Sequence, residues 1–507
     1  MTIGVKKWIP PGAASLAALA VGTAALAVRR PWHDELYTLE LSRRTFAGIV
    51  RALHVDSGPP GYYFLCHLLH IAGFDSVRAL RWLSVAAVAA GVALLVAAVA
   101  EDRLRAWCVA ALLAFHPLLV RAAGEARQYG LLFALAALTV VLLKRYVTRW
   151  KAVALAFTLA AACWVHALGL VLAGGVFAVG VTFRAERRKR VWLAVLAALA
   201  MHLPWLPVMA GQPAGALAWM SRGWAQIPAW RRVLLPLLEP GPAAAPTPFV
   251  QLAFLPGLVA VIGVALWVLL LVTGLSALRR IRAELVLWLA IGGALVGVSL
   301  FVRPVYAPGR ADVVLLPTAV LVVTAARGHW RRVGVATALL LAILGAWVSA
   351  RSLVAWAGSS PPASAAAASA LEKVVRPGDT VVTTGWWLLD VRFRVDPAGD
   401  RLRWLTFPAE NAGHPGWYAD ALAVRGSTEI PGLIGRMRAA SEAGHEVWLL
   451  RSPALPSNRL LDPLVDALGL LPVAKEPPLW ELWGRDRSKN RSFRGTLSPA
   501  TVVPAPL

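Results

Sequence analysis

The sequence predicts a polytopic α-helical membrane protein with about eleven transmembrane helices and a small α/β domain after the last of them. Only 15% of the 507 residues are charged and 58% are hydrophobic, whereas about 25% of the residues of a soluble protein are charged. Apolar runs of bilayer length recur up to about residue 350, which is typical of a multi-pass protein. Beyond Gly358-Ser359-Ser360-Pro361-Pro362 the runs become short and strand-like, which indicates a separate domain.

The basic residues indicate how the chain is oriented. The formal charge is +24, from 51 basic and 27 acidic residues, and the basic residues cluster in short loops between the apolar runs. Such clustering marks the cytoplasmic side of a membrane protein. No basic patch is interleaved with aromatic residues, so we expect no nucleic-acid partner.

The first apolar run, Gly12–Val28, follows Lys6 and Lys7. We interpret it as a retained transmembrane helix with a cytoplasmic N-terminus. The alternative is a signal peptide that ends in the small-residue cleavage site Ala25-Leu26-Ala27.

The next region, residues 29–81, is predicted to be the first extracytoplasmic loop. It contains two amphipathic stretches, Leu36–Val50 and Tyr62–Phe74. The second has about thirteen residues, against the ~20 that a transmembrane helix needs, so we expect both to be interfacial helices.

Ten further apolar runs complete the transmembrane region, residues 1–350. With the two interfacial helices outside, every short basic loop falls on the cytoplasmic side and the C-terminus lies outside. A full span at Tyr62–Phe74 would place the basic loops on the wrong side. The runs are Trp82–Ala100, Ala106–Val120, Tyr129–Leu143, Ala152–His166, Leu168–Phe183, Val191–Met209, Gln251–Leu278, Leu285–Phe301, Val313–Ala325 and Val333–Val348.

Residues 351–484 are predicted to form an extracytoplasmic α/β domain, and residues 485–507 a loose polar tail. Ser364 is placed to cap the first helix of this domain, and Gly444 to end the second. The predicted elements are the helices Ala365–Val375 and Ile430–Ala443 and the strands Thr380–Thr384 and Glu446–Leu450.

An acidic pair stands where the first run leaves the membrane, in Pro31-Trp32-His33-Asp34-Glu35. Ionisable groups near span ends are functional candidates in a membrane protein. The alternative is that Asp34 caps the helix predicted at Leu36–Val50.

Four polar clusters share the predicted extracytoplasmic side. Arginine binds phosphate bidentately and keeps its charge, and a carboxylate accepts the proton of an attacking hydroxyl. Phosphate is a good leaving group, so transfer from it needs no second acid, unlike glycoside hydrolysis. The clusters are His33, Asp34 and Glu35; His54 and Asp56; Glu125, Arg127 and Tyr129; and Arg303, Tyr306 and Arg310.

Three motifs in this order resemble the GT-C membrane glycosyltransferases: Trp32-His33-Asp34-Glu35, Asp56-Ser57-Gly58-Pro59-Pro60-Gly61-Tyr62-Tyr63 and Glu125-Ala126-Arg127-Gln128-Tyr129. The nearest relatives would be the dolichyl-phosphate-mannose protein mannosyltransferases and the lipid A aminoarabinose transferases. The resemblance covers residues 8–350 in architecture and these motifs in detail. Many relatives carry a histidine or lysine where this chain has Ser57-Gly58, so a donor contact at that place is not matched.

The resemblance implies inverting transfer of a sugar from a polyprenyl-phosphate donor to a glycan, lipid or protein acceptor. The reaction would take place at the outer face of the plasma or inner membrane. Asp34 would be the general base, with Glu35 beside it, and Arg127 would contact phosphate. The further donor-phosphate and substrate candidates are Arg310, Arg303, Tyr306, Glu125, His54, Asp56 and Tyr62.

Simpler interpretations exist for several of these residues. The arginines Arg127, Arg303 and Arg310 also fit the role of anchors at the lipid head groups, and Tyr62 and Tyr63 that of interface-belt aromatics. Two histidines near span ends, His166 and His202, fit packing positions.

No cofactor follows from the motifs. A divalent cation is left open, because Glu35, His33 and Asp56 offer ligands, although their spacing matches no dedicated metal site. The cysteines Cys66, Cys108 and Cys163 lie in or beside apolar runs and form no metal-binding pattern.

Two other classes of protein compete with a transferase. A transporter or flippase of lipid-linked sugars would be indicated by inverted repeats and ionisable residues at mid-span; the sequence shows neither clearly. A structural scaffold would leave the acidic pair and the extracytoplasmic arginines without a role.

Overall fold

The computed structural model describes residues 9–144, 148–213, 218–241, 257–359, 362–384, 387–409, 426–451, 461–476 and 480–485. The chain divides into two compact units. We call Met1–Pro31 with Thr38–Ser359 the helical unit, and Trp32–Tyr37 with Ser360–Leu507 the sheet unit. Lys6, Lys7, Arg145 and the predicted tail beyond Arg485 lie outside the described residues.

The helical unit is built from helices of very different length. Helix α2 is divided between the two units at Tyr37 and Thr38. The helices are α1 (Ile9–Val28), α2 (His33–Ser42), α3 (Phe46–Leu53), α4 (Gly61–Ile71), α5 (Val77–Ala97), α6 (Arg103–Ala114), α7 (Pro117–Ala123), α8 (Tyr129–Lys144), α9 (Arg149–Val165), α10 (Leu168–Gly180), α11 (Ala185–His202), α12 (Leu206–Gly211), α13 (Ala218–Ala225), α14 (Ala229–Leu238), α15 (Gly257–Leu275), α16 (Leu278–Phe301), α17 (Leu316–Val323) and α18 (Trp330–Ala357).

Six helices among the described residues are long and apolar enough to cross a membrane. Helices α6 and α7, bent by 57° at the break before Pro117, make a seventh if they count as one span. The predicted count of about eleven is therefore not confirmed. Four of the predicted runs fold as shorter helices, and the thirteen-residue α10 extends only about 20 Å against a ~30 Å hydrocarbon core. The six helices are Ile9–Val28, Val77–Ala97, Ala185–Gly211, Leu258–Leu275, Leu278–Phe301 and Trp330–Ala357.

The stretch Leu36–Val50 was predicted to be one continuous helix, which is wrong, because the chain forms two helices there, α2 and α3. Thr45 stands at the break, and its Oγ1 accepts a hydrogen bond from the Gly48 N–H at 3.1 Å. Threonine at such a position starts a new helix rather than continuing an old one. The second stretch forms α4, which ends before Gly73 at a φ of +90°.

Helix α5 is the centre around which the first part of the helical unit packs. It lies against α1, α6, α7 and α8. Small residues allow the close approach: a Cβ on Gly130 of α8 would lie 3.0 Å from the Ser84 carbonyl oxygen. The loop between α7 and α8, residues 124–128, is thereby held beside α5.

The sheet unit contains a five-stranded mixed sheet of order β2-β1-β3-β5-β4. Strands β1, β2 and β3 are parallel, whereas β5 runs antiparallel to β3 and to β4. The predicted strand Thr380–Thr384 is present, and the strand predicted at Glu446–Leu450 is shifted by one residue. The elements are α19 (Ala363–Glu372), β1 (Thr380–Thr384), α20 (Trp387–Val395), β2 (Arg403–Phe407), α21 (Ile430–Glu442), β3 (Val447–Arg451), α22 (Asp462–Leu468), β4 (Leu470–Glu476) and β5 (Trp480–Arg485).

The sheet buries both of its faces, as the alternation of side chains along a strand requires. Val381 of β1 packs in the core formed with α19 and α20. Val382 packs in the opposite core with α21 and α22. The result is a three-layer α/β arrangement.

Two sequence-based expectations about helix ends have different outcomes. Ser364 does not cap α19, because the helix begins at Ala363 and Ser364 is buried inside its first turn. Gly444, with a φ of +85°, follows α21 as predicted, in a conformation that favours glycine.

Candidate functional site

The acidic pair lies in the first turn of α2, which begins at His33. The Oε2 atom of Glu35 accepts a hydrogen bond from the Trp32 N–H at 3.3 Å, the backward contact of a capping box. Glu35 is fully buried, whereas Asp34 is half-buried. The alternative that Asp34 caps a helix starting at Leu36 is wrong, because the helix starts before Asp34 and the capping contact comes from Glu35.

Arg127 lies in the loop between α7 and α8 and contacts α2 and α4. One of its Nη atoms lies 3.4 Å from the Thr38 Oγ1 of α2 and 3.4 Å from the Tyr63 Oη of α4. The structure thus brings together the third sequence motif and the tyrosines of the second.

Glu125 is the centre of an arginine cluster. Its Oε1 lies 2.7 Å from Nη2 of Arg29 and 2.9 Å from Nε of Arg121. The Ser84 hydroxyl donates to the Glu125 carbonyl oxygen at 2.7 Å and so holds the backbone. Burial by itself raises the pKa of the Glu125 carboxyl, but Arg29, Arg121 and Arg310 hold it well below its usual range. Glu125 therefore stays ionised at any physiological pH.

Arg29 reaches Glu125 because Arg81 fixes the end of α1. Arg81, 2% exposed, donates to the carbonyl oxygens of Leu26, Arg29 and Arg30. A cation is favourable at a helix C-terminus, where carbonyl groups lack partners. This local contact sets the position from which Arg29 pairs with Glu125.

Arg310 stands on a compact turn formed by residues 306–312. Both carboxylate oxygens of Asp312 close this turn: the Tyr306 hydroxyl donates to Oδ1 at 2.5 Å, and the Gly309 N–H donates to Oδ2. Gly309 has a φ of +77°, a backbone conformation suited to glycine. Burial raises the pKa of Asp312 to about 6, against the lowering effect of these two donors.

A second buried carboxylate, Glu239 at the end of α14, lies near Asp312. Its Oε1 accepts from Arg231 Nη2 at 2.9 Å. Burial, followed by the charge of Asp312, raises the pKa of Glu239 to about 8, although Arg231 opposes the shift. Glu239 is thus largely protonated at neutral pH.

Of the candidates predicted from the sequence, Arg310 acts on Glu125, and Arg127 follows Glu125 by two residues in the same loop. Other candidates lie elsewhere. Arg303 is exposed after the end of α16, and His54 is exposed at the end of α3. Asp56 accepts the N–H of its neighbour Ser57 at 2.7 Å, a contact typical of a turn.

The two tyrosines of the second motif, Tyr62 and Tyr63, are 1% and 4% exposed. They are therefore packed in the protein, and the interpretation of both as interface-belt aromatics is wrong. Tyr306 is also buried, with its hydroxyl committed to Asp312.

Four residues of this region were missed by the sequence reasoning. Arg121 stands four residues before Glu125, a spacing that favours an ion pair on a helix, and Arg29 adjoins the acidic motif, so both were within reach. Asp312 and Glu239 come together only through the tertiary fold, and no local signal indicates them. In the described part of the chain, no group of three His, Cys, Asp or Glu side chains is placed to hold a metal ion.

The fold is similar to that of a solved membrane protein, ArnT, in agreement with the fold class that the sequence motifs predicted. The chain superposes on the crystal structure of ArnT from Cupriavidus metallidurans in the apo state with a TM-score of 0.58 and 15% identity, over 92% of this chain and 96% of that one. ArnT from the same organism bound to undecaprenyl phosphate gives a TM-score of 0.57 and 15% identity, over 93% and 97% of the two chains. No family model and no curated protein matches the sequence. At this identity the likeness establishes the fold.

Proposed function

We propose that the protein is an integral-membrane glycosyltransferase that moves a sugar from a polyprenyl-phosphate donor to an extracytoplasmic acceptor. Two findings support this function. The fold is that of ArnT, one crystal structure of which contains undecaprenyl phosphate. The helical unit also contains a buried cluster in which several guanidinium groups act on one carboxylate.

That arginine cluster is the observation on which the proposal depends. Arg29, Arg121 and Arg310 all act on Glu125, and Arg127 follows two residues later. Guanidinium groups bind phosphate oxygens in bidentate, charge-assisted pairs. Preorganised donors of this kind stabilise the negative charge that grows on a departing polyprenyl phosphate.

Asp34 is the proposed general base. As the oxygen of the acceptor hydroxyl bonds to the anomeric carbon, the bond from that carbon to the phosphate oxygen breaks, and the hydroxyl proton passes to the Asp34 carboxylate. A single displacement of this kind inverts the anomeric configuration. Asp34 lies in the first turn of α2, and it is half-buried.

The function is tested by supplying a radiolabelled polyprenyl-phosphate sugar to membranes that contain the protein. Wild type is expected to move label to an acceptor, and Arg127→Met to lower this transfer at least ~10-fold, since a charge-assisted contact is lost. The exposed arginine Arg51 in the last turn of α3 gives the matched control Arg51→Met, which should retain activity. Movement of the intact labelled lipid between leaflets without transfer would contradict the proposal and identify a transporter.

A further inference from the structure

The turn 306–312 lies between the arginine cluster and two buried carboxylates, those of Asp312 and Glu239. Arg310 lies inside the turn, between Gly309, whose N–H is bound by Asp312, and Asp312 itself. At its start, the Ser299 hydroxyl accepts the N–H groups of Val305 and Tyr306 at 3.1 and 2.9 Å. The backbone on both sides of Arg310 is therefore held by side chains.

Both carboxylate oxygens of the buried Asp312 accept a hydrogen bond. Asp312 and Tyr306 are each 0% exposed. The carboxylate of Asp312 accepts one hydrogen bond from the Tyr306 side chain and one from the Gly309 backbone. Burying a charge is costly unless it is hydrogen-bonded.

The position of Arg310 suggests a function for this turn. Arg310 exerts its charge on Glu125, together with Arg29 and Arg121. The arginine side chain is long and flexible. The position of its guanidinium group in a binding site therefore depends on how firmly the backbone of the residue is held.

We propose that Asp312 is a positioning residue for Arg310, which it holds in the arginine cluster for contact with the donor phosphate. The inference rests on the proposed function, because it takes the phosphate of a polyprenyl-phosphate lipid as the ligand of the cluster. Asp312 itself does not contact the donor. Its effect on donor binding passes through Arg310.

The variant Asp312→Asn weakens the contacts that hold the turn, with little change in volume. The asparagine amide keeps one acceptor oxygen in place of two, and the negative charge that strengthens both bonds is lost. Tyr306→Phe is milder, since it removes one donor and leaves the contact with Gly309. Asp396→Asn is the matched control: Asp396 also closes a turn, accepting from the N–H groups of Gly399, Arg401 and Leu402 in the sheet unit.

The test measures the Kd for undecaprenyl phosphate of the full chain in nanodiscs. We expect Asp312→Asn to weaken binding about tenfold and Tyr306→Phe about threefold, as for a lost charge-assisted bond and a lost single donor. Asp396→Asn should bind as wild type does. A purely structural role of Asp312 would change thermal stability and leave the Kd unchanged.

A double-mutant cycle shows whether the effect passes through Arg310. Arg310→Met should weaken binding, and adding Asp312→Asn should weaken it no further. If Asp312→Asn and Arg310→Met act additively, or if Asp312→Asn binds normally while Arg310→Met does not, the positioning role is overturned and the proposed function stands. If Asp312→Asn does not fold, a wild-type Kd for Tyr306→Phe overturns it equally. Failure of the wild type to bind the lipid would instead contradict the proposed function.

Discussion

Glu125 is a buried carboxylate surrounded by arginines. Its carboxylate is 1% exposed and pairs with two arginines that are themselves largely buried. A buried pair adds little net stability compared with apolar residues, yet removing one partner leaves an uncompensated buried charge. The cluster therefore depends strongly on this single carboxylate.

Glu125→Gln is expected to destabilise the protein by about 3 kcal/mol, because Arg29 and Arg121 lose their counter-charge. Thermal unfolding in detergent measures the effect. Arg331→Gln is the control, since the Arg331–Asp102 pair is about half exposed on both sides and should contribute under about 1 kcal/mol. Equal losses for the two variants would contradict the electrostatic account of the cluster.

Glu239 makes stability depend on pH. Its pKa in the folded state is about 8, above the ordinary value for glutamate, so the folded protein retains the proton over a pH range in which the unfolded chain releases it. Stability from this group is complete below about pH 4.5 and is lost as pH rises through about 8. The groups that face it are Asp312 and Arg231.

Between pH 6 and 9 the wild type should lose about 2 kcal/mol more stability than Glu239→Gln, in which no proton is released. Unfolding curves of both proteins at the two pH values measure the difference. Parallel pH profiles would show that Glu239 is ionised in the folded protein, contrary to the expectation.

At the scale of elements, glycines set how closely the helices approach. A Cβ on Gly274 of α15 would lie 2.4 Å from the carbonyl oxygen of Val322 on α17, whereas Gly293 of α16 has nothing within 4 Å. Helix association in membranes depends on such close packing, because lipid tails are as apolar as the side chains they replace.

Gly274→Ala is therefore expected to cost about 1–3 kcal/mol through overpacking of α15 against α17. Gly293→Ala should be neutral or stabilising by up to about 1 kcal/mol, since alanine favours the helix. The comparison of their unfolding temperatures in the same detergent tests this, and a loss in both variants would show that backbone space is not the cause.

The elements also show what local sequence predicts. The strand Thr380–Thr384 was predicted because β-branched residues and turn signals define a strand locally. The break at Thr45 was missed because apolar periodicity continues across it and only the capping contact ends α2. Helix α10 was read as a span because composition reports apolarity, whereas its length depends on where the ends are capped.

At the scale of the whole molecule, the order of the motifs predicted the fold class, and the likeness in fold to ArnT agrees with it. The contact of Arg127 with Tyr63 was not predicted, because Tyr63 was interpreted as an interface-belt aromatic. The Asp312–Glu239 arrangement was not predicted either, since its members are far apart in sequence and meet only after the loops around α14 and α17 have packed. The hydrophobic periodicity of a sequence does not indicate buried polar groups that meet in this way.

The side of the membrane on which each loop lies stays a prediction from the basic loops. It is checked by single-cysteine labelling, as the three native cysteines are buried. A membrane-impermeant maleimide should label Glu442→Cys in intact cells and Glu186→Cys only after permeabilisation; both native side chains are exposed. The opposite pattern would invert the topology.

The most direct test of the account is the rate of sugar transfer by Asp34→Asn, compared with wild type at equal abundance. The matched control is Asp75→Asn, which removes a carboxylate of a partly exposed pair with Arg43 in the same loop. We expect transfer by Asp34→Asn to fall at least ~100-fold, as for the loss of a general base, with undecaprenyl-phosphate binding and Asp75→Asn transfer unchanged. Wild-type transfer by Asp34→Asn would contradict its role as the base.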